Sequence, residues 1–118
     1  MNYFLFLSSC DTCKRIIKTL NLPDDVVMID IKKSPISPAQ IEEIYNATGS
    51  YESLINKRAQ LLKQRNIDTK NLTEETAKQL LTDHYTFLKR PVLVYNGKVF
   101  IGNSKKEVEM AKSWLDEQ

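Results

Sequence analysis

Long apolar runs are missing from this 118-residue sequence, and nothing in it approaches membrane-spanning length. No membrane association is therefore expected. Histidine occurs once and cysteine twice. A tetrahedral zinc site wants four nitrogen or sulfur ligands, usually as two pairs. The single His84 stands far along the chain on a polar helical stretch, so no metal is expected. Neither sign of charge is in excess: the net charge is +2 and the isoelectric point about 8.5. Direct nucleic-acid binding would call for clustered basic residues, and none is expected here. Repeats, low-complexity tracts and linkers are also absent. The length suits one domain with a real core, 1–118, and a monomer is expected. The opening "MNYFLFLSSC" is too short for a signal peptide and lacks a basic leader, so a cytoplasmic protein is expected. There, a close pair of cysteines is more often catalytic, sensing or metal-binding than a structural disulfide.

What is present reads as strand, helix, strand at the start. "NYFLFL" (Asn2 to Leu7) has strand length and aromatic content. "SSCDTCKRIIKTLNLP" begins with helix-start residues, spaces Ile16, Ile17 and Leu20 helically, and is closed by Pro23. "VVMIDI" (Val26 to Ile31) is a second strand, which makes a parallel βαβ pair. The middle reads as helical throughout. One helix starts near Ser37, with Pro38 at its first position, and stops at Gly49. A shorter or broken helical stretch carries Leu54, Ile55, Leu61 and Leu62, and a further helix opens at Thr73. Val92 to Tyr95 and Lys98 to Ile101 then flank Asn96-Gly97, the preferred type I′ hairpin turn. A last helix starts at the cap Ser104, with Val108, Ala111, Trp114 and Leu115 directed at the sheet.

Cys10 and Cys13 sit between the first strand and the helix, with two residues between them. A thiolate at a helix start meets unpaired backbone N–H groups and the positive end of the helix dipole, and both lower its pKa. Lys14 and Arg15 add positive charge nearby, and Asp11 opposes them. Cys10, the more N-terminal and more exposed of the pair, is the candidate nucleophile. Cys13, one turn in, can resolve a mixed disulfide at Cys10.

These segments also carry a resemblance. "CDTCKR", "DIKKSPIS" (Asp30 to Ser37), "LINKRAQLLK" (Leu54 to Lys63) and "LKRPVLVYNGKVFIG" (Leu88 to Gly102) occur in order along nearly the whole chain. Together they resemble the thioredoxin-fold family of glutaredoxin-dependent arsenate reductases, Spx-type transcription regulators and their uncharacterised relatives. The resemblance implies an α/β, thioredoxin-like (glutaredoxin-like) three-layer fold: β-α-β, an inserted helical block at about 37–88, then β-β-α. It implies a cis bond before Pro91 and places Arg90 by the cysteines, to hold an oxyanion or a thiolate. Catalytic roles then fall to Cys10, Cys13 and Arg90, and substrate-binding roles to Thr12, Arg58 and Pro91. Taken alone, Arg58 reads as a solvated helix charge.

Departures from the arsenate-reductase pattern shape the expected function. Its nucleophile segment resembles "H-N-P-x-C-G-T-S-R". Phe6 stands here in place of the histidine and Cys13 in place of the serine. Two of the family's oxyanion arginines fall on Asn56 and Gly102, and Arg90 alone of the three survives. These changes count against arsenate as substrate. The expected activity is a thiol–disulfide oxidoreductase with no bound cofactor, restored by glutathione, glutaredoxin or thioredoxin. The alternative is a redox-sensing regulator that binds RNA polymerase, as the Spx-type relatives do.

Overall fold

The computed structural model describes residues 2–118. The chain divides into two compact units: Met1–Ser34 with Arg90–Gln118, and Pro35–Lys89.

The first unit is built on a four-stranded sheet of order β2-β1-β3-β4, from β1 (Tyr3–Phe6), β2 (Val27–Asp30), β3 (Val92–Tyr95) and β4 (Lys98–Ile101). β1 runs parallel to β2 and antiparallel to β3, and β3 pairs with β4 as a hairpin. The turn of that hairpin needs two left-handed residues, and Asn96 (φ 48°) and Gly97 (φ 84°) supply them, as expected for type I′. Helices α1 (Asp11–Leu20) and α5 (Lys105–Asp116) pack against each other and onto one face of the sheet. Phe4, Leu93 and Phe100 meet Ile16, Leu20, Ala111 and Leu115 there. The alternate residues Tyr3, Leu5, Val92 and Val94 are buried as well, so the central strands read as continuous apolar runs. This is an α/β, thioredoxin-like fold.

Two local expectations are corrected. α1 ends at Leu20, before Pro23: Asn21 takes a left-handed conformation (φ 50°) and its N–H donates to the Ile17 carbonyl at 3.2 Å. Asparagine tolerates that cap conformation, and this ends the helix before the proline is reached. β2 is shorter than "VVMIDI" suggests and lies at the sheet edge, with Val27 and Met28 each more than 40% exposed: 45% and 43%. Only its flanking residues Val26 and Ile31 are fully buried.

The second unit is helical: α2 (Pro38–Thr48), α3 (Gln60–Gln64) and α4 (Glu74–Asp83), with 3-10 turns at Glu52–Leu54, Thr69–Asn71 and Tyr85–Phe87. α2 starts with a capping box, in which the Gln40 N–H donates to Ser37 Oγ at 3.1 Å and the Ser37 N–H to Gln40 Oε1 at 2.9 Å. The broken stretch after Tyr51 is held by Glu74, whose carboxylate accepts the N–H groups of Tyr51 and Glu52, both at 2.9 Å. Ile55 bridges Leu88 in antiparallel fashion, and the Lys89 N–H donates to the Leu54 carbonyl at 2.8 Å. The unit therefore closes on its own ends.

Candidate active site

The chain leaves β1 and makes one tight turn before α1. The Cys10 N–H donates to the Leu7 carbonyl at 3.0 Å, which closes that turn. Cys10 is the N-cap of α1, with extended backbone (φ −97°, ψ 112°), and its carbonyl accepts the Lys14 N–H at 3.2 Å. Cys13 is then the third helical residue and points into the interior. Cys10 is half-buried and Cys13 fully buried, and both are free thiols.

A neutral thiol is a weak acceptor. Cys10 accordingly closes no side-chain cap hydrogen bond of normal geometry. A thiolate there is better served. Burial raises the Cys10 pKa, but the backbone N–H and thiol of Cys13, the Thr12 N–H and the charge of Arg90 together outweigh it, and the pKa is lowered. Cys13 moves the other way, to about 11. Burial is the largest cause, and the thiolate of Cys10 adds to it against the opposing hydrogen bond at Leu7 and the charge of Arg90. Opposite shifts at neighbouring sulfurs assign different tasks: one is poised to ionise and the other stays a donor.

Arg90 reaches this site from the far end of the chain. It is half-buried with its Nε buried, not a solvated strand start. The Arg90–Pro91 bond is cis, Pro91 is buried, and its carbonyl accepts the Gly102 N–H at 2.9 Å. The positive charge acting on Cys10 is that of Arg90, whereas Lys14 and Arg15 have exposed side chains. Replacing Arg90 by glutamine should therefore raise the Cys10 pKa. At neutral pH the alkylation rate of Cys10 should fall roughly two- to fivefold, the size expected for a partly screened charge pair. The effect should shrink as salt is added. An unchanged alkylation profile would remove Arg90 from the site.

Thr12 contributes its backbone N–H, and its side chain is half-buried. Arg58 belongs to the Pro35–Lys89 unit. It lies in an exposed turn before α3, not in a helix, and its N–H donates to Asn56 Oδ1 at 3.2 Å. Asn56 itself is tied to the end of the same unit, its N–H donating to the Phe87 carbonyl at 2.7 Å. His84 caps α4, and its Nδ1 accepts the Thr86 N–H at 3.1 Å. No cluster of three or more metal-ligating side chains is formed among the described residues. Among them, too, no helix is long and apolar enough to cross a membrane.

One pair at the site is not legible from residue types alone. The Ser8 hydroxyl donates to Asp30 Oδ2 at 2.6 Å, so the nucleophile turn is joined to the end of β2. The available signal was an acid closing the apolar run "VVMID", which becomes legible only when Asp30 is known to pair with Phe6.

Known proteins resemble this chain in sequence and in fold. The chain is 29% identical over 107 residues to the global transcriptional regulator Spx of Streptococcus mutans, covering 88% of this chain and 78% of that protein. It is 24% identical over 96 residues to an arsenate reductase of Neisseria meningitidis, covering 80% and 72%. The fold is shared with the arsenate reductase of Vibrio cholerae, at a TM-score of 0.75 and 16% identity over 95% of both chains. The ArsC family model matches residues 5–111, and the chain belongs to the ArsC family.

Proposed function

We propose that this protein is a thiol–disulfide oxidoreductase that works through Cys10 and Cys13. The observation that carries the reading is the opposed pair of sulfurs: a lowered Cys10 at the helix cap and a raised, buried Cys13 beside it. The Cys10 thiolate attacks one sulfur of a disulfide R–S–S–R′. The S–S bond breaks, R′–S⁻ leaves, and Cys10–S–S–R forms. Cys10 has then lost its charge, so that part of the upward push on Cys13 disappears while the burial part remains. Cys13 gives its proton to the departing thiolate or to water and attacks Cys10. R–S⁻ leaves, and the protein holds a Cys10–Cys13 disulfide. Glutathione, glutaredoxin or thioredoxin supplies the two electrons that restore the dithiol. Arg90 supports the thiolate, and Thr12 offers its N–H. Pro91 shapes the wall next to Arg90. Arg58 is assigned to substrate binding on family resemblance alone. With Arg90 the one surviving oxyanion arginine, a disulfide suits this site better than arsenate.

The test is a mass measurement. Reduced protein mixed with oxidised glutathione should end as the intramolecular disulfide. Cys13→Ser should instead keep one glutathione on Cys10, because the resolving sulfur is gone. An adduct on the buried Cys13, or none on either sulfur, would overturn the mechanism.

A second reading has its own support in the similarity to the Streptococcus mutans regulator. In that reading the same couple is a switch, and the partner is RNA polymerase. Binding of purified polymerase to only one redox state would favour the switch. Equal failure in both states would leave the enzyme reading standing.

A further inference from the structure

The turn that carries Cys10 is fastened sideways to β2 through a carboxylate. Phe6 and Asp30 are partners in the parallel ladder, and the Ile31 N–H donates to the Phe6 carbonyl at 2.9 Å. Beyond Phe6 the chain leaves the sheet. Ser8 is the first residue of the turn that reaches back, with its hydroxyl 2.6 Å from Asp30 Oδ2. The Ser8 backbone N–H also acts on this carboxylate. The other oxygen, Oδ1, accepts the Lys32 N–H at 3.1 Å. The Asp30 carbonyl accepts the N–H groups of Lys33 and Ser34, at 3.0 and 2.9 Å. Asp30 is thus fixed by its own strand and by the turn that follows it, and it lends that rigidity to Ser8. Cys10 lies two residues further on, held by the Leu7–Cys10 hydrogen bond. The nucleophile turn therefore has one internal closure and one external anchor.

We propose that Asp30 is a positioning residue for Cys10: through Ser8 it fixes the turn that presents the sulfur at the start of α1. The inference rests on the reading of Cys10 as the nucleophile. The groups that shift the Cys10 sulfur are Cys13, Thr12 and Arg90, and Asp30 is tied to Ser8 instead. Its negative charge alone would disfavour a neighbouring thiolate. Its contribution must therefore come through geometry, and an uncharged residue of the same shape that keeps an oxygen for Ser8 should retain part of it. Asparagine keeps an oxygen for Ser8, whereas alanine does not.

The experiment compares wild type with Asp30→Ala, Asp30→Asn, Ser8→Ala and the double variant Asp30→Ala/Ser8→Ala. Two readouts are used: the pH profile of Cys10 alkylation, resolved by peptide mass, and kcat and KM for disulfide reduction. Asp30→Ala should shift the Cys10 titration back toward that of an ordinary thiol. It should lower kcat roughly three- to tenfold, the net size of one ordinary hydrogen bond, with little change in KM. Asp30→Asn should fall between wild type and alanine, because its one oxygen can serve Ser8 while its amide nitrogen faces the Lys32 N–H. Ser8→Ala should lose no more than Asp30→Ala, because the Ser8 N–H stays on the carboxylate, and the double variant should be no worse than Asp30→Ala, because both cut the same tie. An Asp30→Ala protein with an unchanged Cys10 titration would overturn the inference, as would an Asp30→Asn as impaired as alanine, or a double variant with summed losses. If Asp30→Ala fails to fold, Ser8→Ala carries the comparison, since Asp30 keeps its bonds to Lys32, Lys33 and Ser34. A wild-type protein without turnover would overturn the oxidoreductase reading, and the alkylation profiles would still decide the role of Asp30.

Discussion

Cys10→Ser should abolish thiol–disulfide turnover, a loss of more than about three orders of magnitude, as for a deleted catalytic nucleophile. The protein should remain folded. Serine is smaller by little, fits a half-buried cap, and is a preferred N-cap residue. At Cys10 no side-chain cap hydrogen bond of normal geometry is made, so the substitution adds one. The variant should therefore melt at or above the wild-type temperature at mildly acidic pH. The advantage should narrow as pH rises. Folding lowers the Cys10 pKa, so ionised Cys10 stabilises the folded wild type. That contribution is complete above the unfolded-state pKa and is lost as pH falls through the folded-state value. Serine has no such dependence. Turnover assays with thermal melts across pH read both effects together. Residual turnover in Cys10→Ser would move the nucleophile elsewhere. A lowered melting temperature at acidic pH would mean that the cap geometry is not as described.

Phe4→Ala should cost about 3–5 kcal/mol, the usual range for removing a buried phenylalanine. Phe4 is completely buried in the central strand and stacks on Phe6 with ring centroids 6.2 Å apart. Around it lie Ile16 and Leu20 of α1, Leu93 and Phe100 of the hairpin, and Ala111 and Leu115 of α5. Both helices and the hairpin meet on this ring, so none of them can move inward without losing its other contacts. The cavity should stay largely open, which puts the cost toward the top of the range. A domain is stable by only about 5–15 kcal/mol, so the variant should be marginal at ambient temperature. Urea titration would measure the change through the midpoint at constant slope. A loss below about 1 kcal/mol would contradict the packing of α1 and α5 on this face. Phe4→Leu, which keeps most of the volume, should recover more than half of the loss.

Distance along the chain separates what residue type alone specifies from what it does not. The capping box of α2 joins Ser37 to Gln40, and the hairpin turn needs only Asn96-Gly97. Thr73 caps α4 through Thr76, and Ser104 caps α5 through Glu107. Each of these bonds spans a few residues, so residue type alone specifies it. The errors have a common source. Pro23 looked like the helix stop because proline is the strongest breaker, yet Asn21 made a cap first. Arg58 looked helical because its neighbours are good helix formers, yet the stretch is broken by a turn tied to the Phe87 carbonyl thirty-one residues on from Asn56. β2 looked like a core strand because its residues are apolar, and apolarity does not tell a central strand from an edge one.

By itself the sequence determined the elements and their order, the cysteine pair at a helix start, and the family to which the chain belongs. The reason is that periodicity, caps and turn chemistry act over one or two turns of chain. Tertiary structure alone decided which charge faces Cys10. Lys14 and Arg15 are the near neighbours in sequence, but Arg90 acts on the sulfur because β3 pairs with β1 and brings its leading end to the nucleophile turn. It also decided that the two sulfurs part in acidity, since the full burial of Cys13 and the half-burial of Cys10 depend on how α1 lies on the sheet. And it joined Ser8 to Asp30, twenty-two residues apart, through the parallel register of β1 and β2. Coulomb forces and desolvation depend on separation in space, and only the folded chain sets that separation.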